Sequence, residues 1–197
     1  ECIDWLENER DPEKPFCMFL FLNEPHSPVR ADEEFKAMYA DCDAAARRIE
    51  YGGHGVERKN TDPLERPTYF GCVSQMDHEV GRLVAAVDRL GLKEDTFVMF
   101  TSDNGPEHRL PTSWGSPGNL RGAKGHMHDG GIHVPGIMRW PGKLKAGTES
   151  SLPINGTDLL PTFCAMAYAD ILTEKVVDGV DLLPTLLEDK QVERRIP

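Results

Sequence analysis

Two apolar runs without polar interruption stand out along the chain. The first covers residues 16–22, reads Phe-Cys-Met-Phe-Leu-Phe-Leu and closes at Asn23-Glu24-Pro25. The second covers residues 96–101 and continues directly into Ser102-Asp103-Asn104-Gly105. A short run that does not alternate with polar residues suits a strand buried on both faces, as in a parallel sheet. We therefore predict two buried strands here, and a third strand or extended segment over residues 134–140.

Helical periodicity is strongest between the two runs. Apolar residues recur there at three- and four-residue spacing behind Pro67-Thr68, namely Phe70, Val73, Met76, Val80, Leu83, Val84, Val87 and Leu90. This spacing predicts an amphipathic helix of about 22 residues that ends at Gly91. Shorter helices are expected around residues 32–40, 157–168 and 182–188, and residues 41–66 are expected to form a surface excursion. The order strand, helix, strand predicts an α/β fold with right-handed crossovers.

Composition and charge narrow the classes of partner. The chain has 197 residues, 39% of them hydrophobic, which is enough for one domain with a core. Its formal net charge of −11, without a long basic run, argues against a nucleic-acid partner. No apolar stretch approaches the roughly 18 residues that span a bilayer, so no membrane partner is expected. The negative field also repels anions at long range, so an anion site would need local cations or a metal.

The five cysteines are widely spaced and include no Cys-x-x-Cys pair. A zinc ribbon or a disulfide framework is therefore not expected. Cys17, Cys72 and Cys164 lie inside apolar segments and are predicted to be small core residues.

Chemically suggestive residues follow both predicted strands. His26 comes just after the first strand, and Asp103-Asn104 comes just after the second. Open α/β sheets bind ligands at the carboxyl ends of their strands. An adjacent carboxylate and amide offer hard oxygens suited to Ca²⁺ or Mg²⁺. The alternative is an ordinary Asp-Asn-Gly turn, which is frequent in proteins.

The segment 105–131 is rich in Gly, Pro and His and lacks periodicity, which predicts a long functional loop. Lys124 stands between Ala123 and Gly125 within Arg121-Gly122-Ala123-Lys124-Gly125, where small residues let an ammonium approach an anion closely. Nearby histidines at 126, 128 and 133 raise the alternative of a zinc site. Their spacing does not suit a helical zinc site and no Cys joins them, so solvated loop histidines are the favoured interpretation.

Several longer pieces of the sequence occur in an order typical of one family. They are Asn23-Glu24-Pro25-His26-Ser27-Pro28, residues 69–77, residues 96–106, Arg121-Gly122-Ala123-Lys124 with residues 129–135, and residues 178–184. In these the chain resembles the type I, formylglycine-dependent sulfatases of the alkaline-phosphatase-like superfamily. The resemblance implies a partial alkaline-phosphatase-like sandwich, with a largely parallel central sheet flanked by helices. Residues 1–197 would be the C-terminal portion of the catalytic domain, without its N-terminal nucleophile region and C-terminal small subdomain.

The resemblance also implies roles for individual residues. Asp103 and Asn104 would bind the metal, usually calcium and sometimes magnesium, and Lys124 would bind the sulfate oxygens. His26 would contact the sulfate or protonate the departing alkoxide, which suits a histidine. A cation and a lysine offset charge on the transferring group, as in phosphoryl transfer. His108 and Arg121 are candidate substrate contacts.

The sequence also departs from the family pattern. The family nucleophile is a formylglycine made from Cys or Ser in a Cys/Ser-x-Pro/Ala-x-Arg motif, and none of the five cysteines begins one. The paired aspartates that complete the metal site are missing too. In the lysine loop, His128, Asp129 and His133 replace an aromatic residue, Glu and Arg. We therefore expect a sulfuric ester hydrolase by family whose chain is inactive alone.

Two other interpretations stay open. The chain could be a non-catalytic fragment or pseudo-enzyme that binds anions or cations, or a phosphate or phosphonate ester hydrolase of the same superfamily. The lysine loop favours the sulfatase. The expected partner is a sulfated small molecule or sulfated sugar, in a periplasmic, secreted or lysosomal setting by resemblance. Self-association through exposed sheet edges is a further expectation.

Overall fold

A computed structural model of the chain describes residues 1–42, 66–107, 114–171, 174, 176–188 and 190–192. The elements, in chain order, are α1 (Cys2–Asp4), a π-helical turn (Trp5–Glu9), α2 (Glu33–Ala37), α3 (Arg66–Arg89), β1 (Val98–Thr101), α4 (Asp129–Ile132), β2 (Gly136–Arg139), a 3-10 turn (Gly156–Asp158), α5 (Leu159–Met166) and α6 (Leu183–Glu188). None of the described helices is both long and apolar enough to cross a membrane. Of the predicted excursion over residues 41–66, residues 43–65 lie outside the described residues.

Helix α3 confirms the strongest periodicity in the sequence. It has 24 residues, and its polar positions 77–79, 81–82 and 88–89 are exposed while the apolar stripe is buried or half-buried. Gly91 has a φ of +73°, a left-handed conformation that glycine adopts without a steric penalty. The N–H of Leu92 then donates to the carbonyl of Val87 at 3.0 Å, which pairs one of the last helical carbonyls.

The short helix expected around residues 32–40 is present as α2, which packs against α3. Gln75 of α3 exchanges two hydrogen bonds with Asp32 at the start of α2, at 2.9 and 2.8 Å. The hydroxyls of Tyr39 and Ser74 lie 2.6 Å apart. A Cβ at Gly71 would lie 3.0 Å from the backbone of α2, so the absence of a side chain there lets the helices approach closely.

Strands β1 and β2 confirm that strands lie within residues 96–101 and 134–140, and they pair in a two-stranded sheet. The predicted burial of the first was wrong, because β1 is half-buried and its last residue, Thr101, is exposed. The Thr101 hydroxyl donates to the carbonyl of Pro135 at 2.9 Å, and the N–H of Gly105 donates to the carbonyl of Gly131 at 2.9 Å. The chain thus advances four residues from Thr101 to Gly105 while its partner goes back four residues, from Pro135 to Gly131. The two strands run in opposite directions, and their connection carries the loop rich in glycine and histidine.

The prediction of a buried strand over residues 16–22 was wrong. These residues form no strand, and the exposed fractions of Phe19 and Phe21 are 61% and 92%. Their rings stack at 6.4 Å, as side chains two residues apart on one side of a segment can do. A strand needs a neighbour that pairs with its backbone, and no described strand runs beside this segment. The sheet of the described residues is consequently β1 with β2 alone, and it lacks the predicted parallel pairing.

Contacts divide the chain into two compact units. Unit 1 contains Glu1–Lys93 and Met99–Met138, and unit 2 contains Glu94–Val98 and Arg139–Pro197. In unit 1, Arg89 at the end of α3 forms an ion pair with Glu7. In unit 2, the ring of Phe97 meets Trp140 edge-on at 5.7 Å and Phe163 at 6.2 Å. The helices predicted over residues 157–168 and 182–188 are confirmed as the 3-10 turn with α5, and as α6.

Asp158, only 1% exposed, joins the two helical segments of unit 2. Its carboxylate accepts hydrogen bonds from the N–H of Asn155 at 2.8 Å and from the N–H of Val180 at 3.0 Å. The hydroxyl of Thr162 donates to the Asp158 carbonyl at 2.6 Å and accepts from the N–H of Leu182 at 3.0 Å. Buried polar groups are stable only when they are paired in this way.

Asp158→Ala tests this arrangement. The substitution leaves two backbone N–H groups without their acceptor in a buried place, so we expect unit 2 to lose about 2–4 kcal/mol of unfolding free energy. Urea unfolding followed by circular dichroism measures the loss. Asp170→Ala is the matched control because Asp170 is exposed, and its effect should stay within about 0.5 kcal/mol. Equal effects of the two substitutions would contradict the assigned role.

The cysteines only partly follow the prediction. Cys72 is a core residue, 1% exposed, whereas Cys164 is half-buried and Cys17 is exposed. The prediction for Cys17 was wrong for the same reason as the strand around it, since no described strand covers this segment. Burial raises the pKa of the Cys72 thiol, an effect opposed by a hydrogen bond from the backbone of Arg30 and reinforced by the charge of Glu24.

Thiol alkylation should distinguish these cysteines. Because its folded pKa is raised, Cys72 stays a neutral thiol to higher pH, and the stability this contributes is present below the unfolded pKa and lost as pH rises through the folded pKa. We expect iodoacetamide to label Cys17 quickly at pH 8 and Cys72 only after unfolding. Mass spectrometry of the peptides measures both rates, with Cys17→Ser as the control for the fast phase. Comparable native rates would refute the burial of Cys72.

Candidate functional site

The end of β1 presents the two candidate metal ligands. The Ser102 hydroxyl donates to the carbonyl of Asn104 at 3.0 Å and tightens the turn that follows the strand. Asp103 is exposed and Asn104 is half-buried. The Asn104 side-chain amide donates through Nδ2 to the carbonyl of Gly105 at 2.8 Å. This hydrogen bond orients the Asn104 amide, and Oδ1 of Asn104 is the atom that can serve as a metal ligand.

The lysine loop folds back onto this turn through main-chain hydrogen bonds. The N–H of Lys124 donates to the carbonyl of Pro106 at 2.9 Å, and the N–H of Gly105 donates to the carbonyl of Gly131 at 2.9 Å. Lys124 itself is half-buried. The backbone therefore brings Asp103 and Asn104 next to the segment that carries Lys124, although about twenty residues separate them in the chain.

Glycines make this approach possible. A Cβ on Gly105 would lie 1.9 Å from the carbonyl oxygen of Gly130, and a Cβ on Gly130 would lie 2.2 Å from that of Gly122. A Cβ on Gly131 would lie 2.1 Å from the carbonyl oxygen of His126. Any side chain at these three positions would force main-chain atoms apart. Within the predicted loop, the short helix α4 begins at Asp129 and contains two of these glycines.

Arg121 belongs to the same cluster by its backbone, because its carbonyl accepts from the N–H of Gly130 at 2.8 Å. Its side chain is exposed. The other candidate substrate contact, His108, lies outside the described residues. The main chain thus brings together the segments that carry Asp103, Asn104, Lys124 and Arg121, which we call the cluster.

His26 lies in its own turn. Its N–H donates to the carbonyl of Asn23 at 2.8 Å, and its ring Nδ1 lies 2.9 Å from the carbonyl oxygen of Ser27. The side chain is exposed, and cis peptide bonds precede Pro25 and Pro28 on either side of it. The structure records no hydrogen bond from His26 to the cluster around Lys124 among the described residues.

Helix α3 supports the turn that holds His26. Gln75 of the helix exchanges two hydrogen bonds with Asp32, at 2.9 and 2.8 Å, a few residues beyond His26. Helix α3 therefore packs against the segment that follows His26. The sequence did not indicate this contact, because Asp32 and Gln75 are far apart in the chain.

The donor atoms of the cluster suit a hard cation. Asp103 supplies a carboxylate and Asn104 an amide oxygen, which are ligands of Ca²⁺ and Mg²⁺. Ca²⁺ takes about six to eight oxygens, so these two side chains form only part of a site. In the part of the chain that the structure describes, no three His, Cys, Asp or Glu side chains are grouped to hold a metal, and the histidines at 126, 128 and 133 form no zinc site.

Two features of the site were missed by sequence reasoning. One is the carbonyl of Pro106, which anchors Lys124. The other is the mutual contact of Gly105 with Gly130 and Gly131. The only signal available in the sequence was the density of glycine around Lys124, which does not say which glycines meet.

Comparison with known proteins identifies the family. The sulfatase family profile matches residues 1–171. Human arylsulfatase A is 42% identical over 185 residues, which are 93% of this chain and 31% of that protein. Steryl-sulfatase of Rattus norvegicus is 35% identical over 95% of this chain and 29% of its own length. The chain thus spans about a third of the length of the curated relatives that it matches.

Solved structures agree with this assignment. The crystal structure of Ps i-CgsB in complex with k-i-k-neocarrahexaose superposes with a TM-score of 0.79 at 28% identity, over 96% of this chain and 37% of that chain. BT4656 in complex with its substrate D-glucosamine-2-N,6-O-disulfate gives a TM-score of 0.51 at 26% identity, over 62% of this chain and 23% of that chain. The fold is a partial alkaline-phosphatase-like fold, as the motifs had implied. The chain belongs to the sulfatase family.

Proposed function

We propose that this chain serves the hydrolysis of sulfate esters and carries part of the metal site together with the lysine that binds the sulfate group. The observation that carries the proposal is the hydrogen bond from the Lys124 N–H to the Pro106 carbonyl, at 2.9 Å. It anchors the lysine beside the turn that holds Asp103 and Asn104. Family membership supports the reaction class.

The proposed roles follow from charge. Asp103 and Asn104 Oδ1 would hold Ca²⁺, or Mg²⁺ in its place, with further ligands from outside this cluster. When bound, the cation would stabilise negative charge on the sulfuryl oxygens. Lys124 would add an ammonium group to the same oxygens, and its position beside Gly125 lets it approach them without obstruction. Local cations are needed because the net charge of −11 repels anions.

His26 would supply a proton to the leaving group. A carbonyl oxygen can only accept, so Nδ1 carries the hydrogen in its contact with Ser27. The proton available to a substrate is then the one on Nε2. An alkoxide leaves readily only when it is protonated, which makes Nε2–H of the imidazolium the proposed general acid. The exposure of His26 leaves Nε2 open to a substrate.

The nucleophile is the part that these residues do not provide. None of the five cysteines begins the motif from which the family forms formylglycine. Arg121, and His108 outside the described residues, remain proposed contacts for the rest of the substrate. The sulfated substrate in the BT4656 structure and the names of the steryl and N-acetylgalactosamine-6 sulfatases support a sulfated sugar or steroid-like small molecule as the substrate class. A periplasmic, secreted or lysosomal setting and self-association through exposed sheet edges remain expectations.

Lys124→Ala tests the anion site directly. We expect the affinity of the chain for inorganic sulfate to fall about tenfold, because a charge-assisted hydrogen bond is lost. Titration with sodium sulfate at constant ionic strength, followed by the amide resonances of Asn104, Gly105 and residues 122–125, measures the affinity. Lys145→Ala is the matched control, since this lysine is exposed in unit 2. An unchanged affinity in Lys124→Ala would contradict the proposed anion site. An anion-binding fragment or a phosphate ester hydrolase would then also have to bind its anion through residues other than Lys124.

Turnover separates the contribution of these residues from that of the nucleophile. We expect the 197-residue chain, supplied with calcium and an aryl sulfate, to show no hydrolysis above the rate without protein. Spectrophotometric release of the phenol measures it. Hydrolysis that disappears in Asp103→Ala would show that the chain provides its own nucleophile, contrary to this expectation. Hydrolysis that survives Asp103→Ala would indicate a contaminating enzyme.

A further inference from the structure

The first residue of α3 touches the segment that leads into the lysine loop. The guanidinium carbon of Arg66 lies 4.4 Å from the centroid of the Trp114 ring, within the distance at which a cation is attracted to an aromatic face. Helix α3 is a rigid element of 24 residues, whereas Trp114 stands in a segment without regular structure. The contact therefore holds the irregular segment around Trp114 against helix α3.

Arg66 is committed to this contact. Its Nε is buried and has no hydrogen-bond partner among the described residues. A buried polar atom without a partner costs free energy, so the ring must contribute part of what holds the guanidinium there. Arg66 and Trp114 are both half-buried, and a partly desolvated cation is attracted to a ring more strongly than one at an exposed surface.

The residue after Trp114 extends the contact to the site. A Cβ on Gly115 would lie 2.7 Å from Cβ of Pro106 and 2.9 Å from the hydroxyl oxygen of Tyr69. Tyr69 is one helical turn after Arg66, and burial raises its pKa, so its hydroxyl stays neutral. Gly115 is thus enclosed between α3 and Pro106. Pro106 in turn accepts the hydrogen bond from the Lys124 N–H.

We propose that Arg66 and Gly115 are positioning residues that fix Lys124 relative to Asp103 and Asn104. That the position of Lys124 matters for sulfate binding rests on the proposed function, whereas the positioning itself rests on the contacts described above. Arg66 holds Trp114, Gly115 lets this segment close on Pro106, and the Pro106 carbonyl then sets the backbone of Lys124. A shift of the lysine anchor by even about 1 Å would misplace the ammonium group and weaken binding of the transferring group.

Two substitutions with matched controls test the arrangement. Arg66→Ala removes the cation over the ring, and Arg66→Lys keeps one; Arg82→Ala is the control, because Arg82 is exposed on the same helix. Gly115→Ala introduces the Cβ that meets Pro106. Its control is Gly81→Ala, a glycine of α3 with nothing within 4 Å of an added Cβ. Thermal unfolding establishes that each variant is folded.

Two readouts are needed. The first is hydrogen exchange of the Lys124 amide, which reports its bond to Pro106 without any ligand. The second is the dissociation constant for inorganic sulfate, by the amide titration. We expect Arg66→Ala to speed Lys124 exchange and to weaken sulfate binding by about three- to tenfold each, with recovery in Arg66→Lys. Gly115→Ala should act in the same direction, and both controls should leave the two readouts unchanged.

The outcomes distinguish this proposal from the proposed function. Unchanged Lys124 exchange in both Arg66→Ala and Gly115→Ala overturns the positioning role, whatever happens to sulfate. Faster exchange with unchanged sulfate affinity also overturns it, provided that Lys124→Ala does weaken sulfate binding. If Lys124→Ala leaves sulfate binding unchanged, the proposed function fails, and faster Lys124 exchange would still support the contact from α3 to the loop. A general loss of protection across unit 1 would reduce Arg66 to a structural residue and overturn the proposal.

Discussion

The site depends on the contact of main chain with main chain at Gly105, Gly130 and Gly131. Carbonyl oxygens occupy the space that Cβ atoms would take, so the turn after β1 and the lysine loop approach more closely than residues with side chains would allow. Hydrogen bonds between the same segments then fix their register. The segments of Asp103, Asn104 and Lys124 owe their proximity to this contact and to the strand pairing next to it.

Elements governed by local pattern could be predicted from the sequence. Helix α3 follows from apolar spacing and a glycine stop, and β1 and β2 follow from short apolar runs beside turn residues. These depend on neighbours within a few residues. Residues 16–22 have an equally apolar pattern and form no strand, because pairing depends on what lies beside a segment in space. The exposure of Cys17 has the same origin.

The candidate site divides in the same way. Asp103, Asn104 and Lys124 could be proposed from motif order, and the structure brings their segments together. The order of motifs does not reveal that the Pro106 carbonyl is the anchor, since main-chain hydrogen bonds leave no trace in side-chain identity. Nor did the sequence connect Arg66 with Trp114, because cation and ring are far apart in the chain and meet only through the fold. Contacts between residues so far apart in the chain can be recognised only in the three-dimensional structure.

Helix α3 contacts the segments that carry two of the proposed site residues. Arg66 and Tyr69 lie against the segment before the lysine loop, and Gln75 bonds with Asp32, beyond His26. An α-helix advances about 1.5 Å and turns about 100° per residue. The stretch from Arg66 to Gln75 therefore fixes the distance and the angle between its contacts with the segment before Lys124 and the segment after His26. Inserting one residue in this stretch would rotate one contact relative to the other by about 100°. A change of length further along the helix would leave both contacts in place.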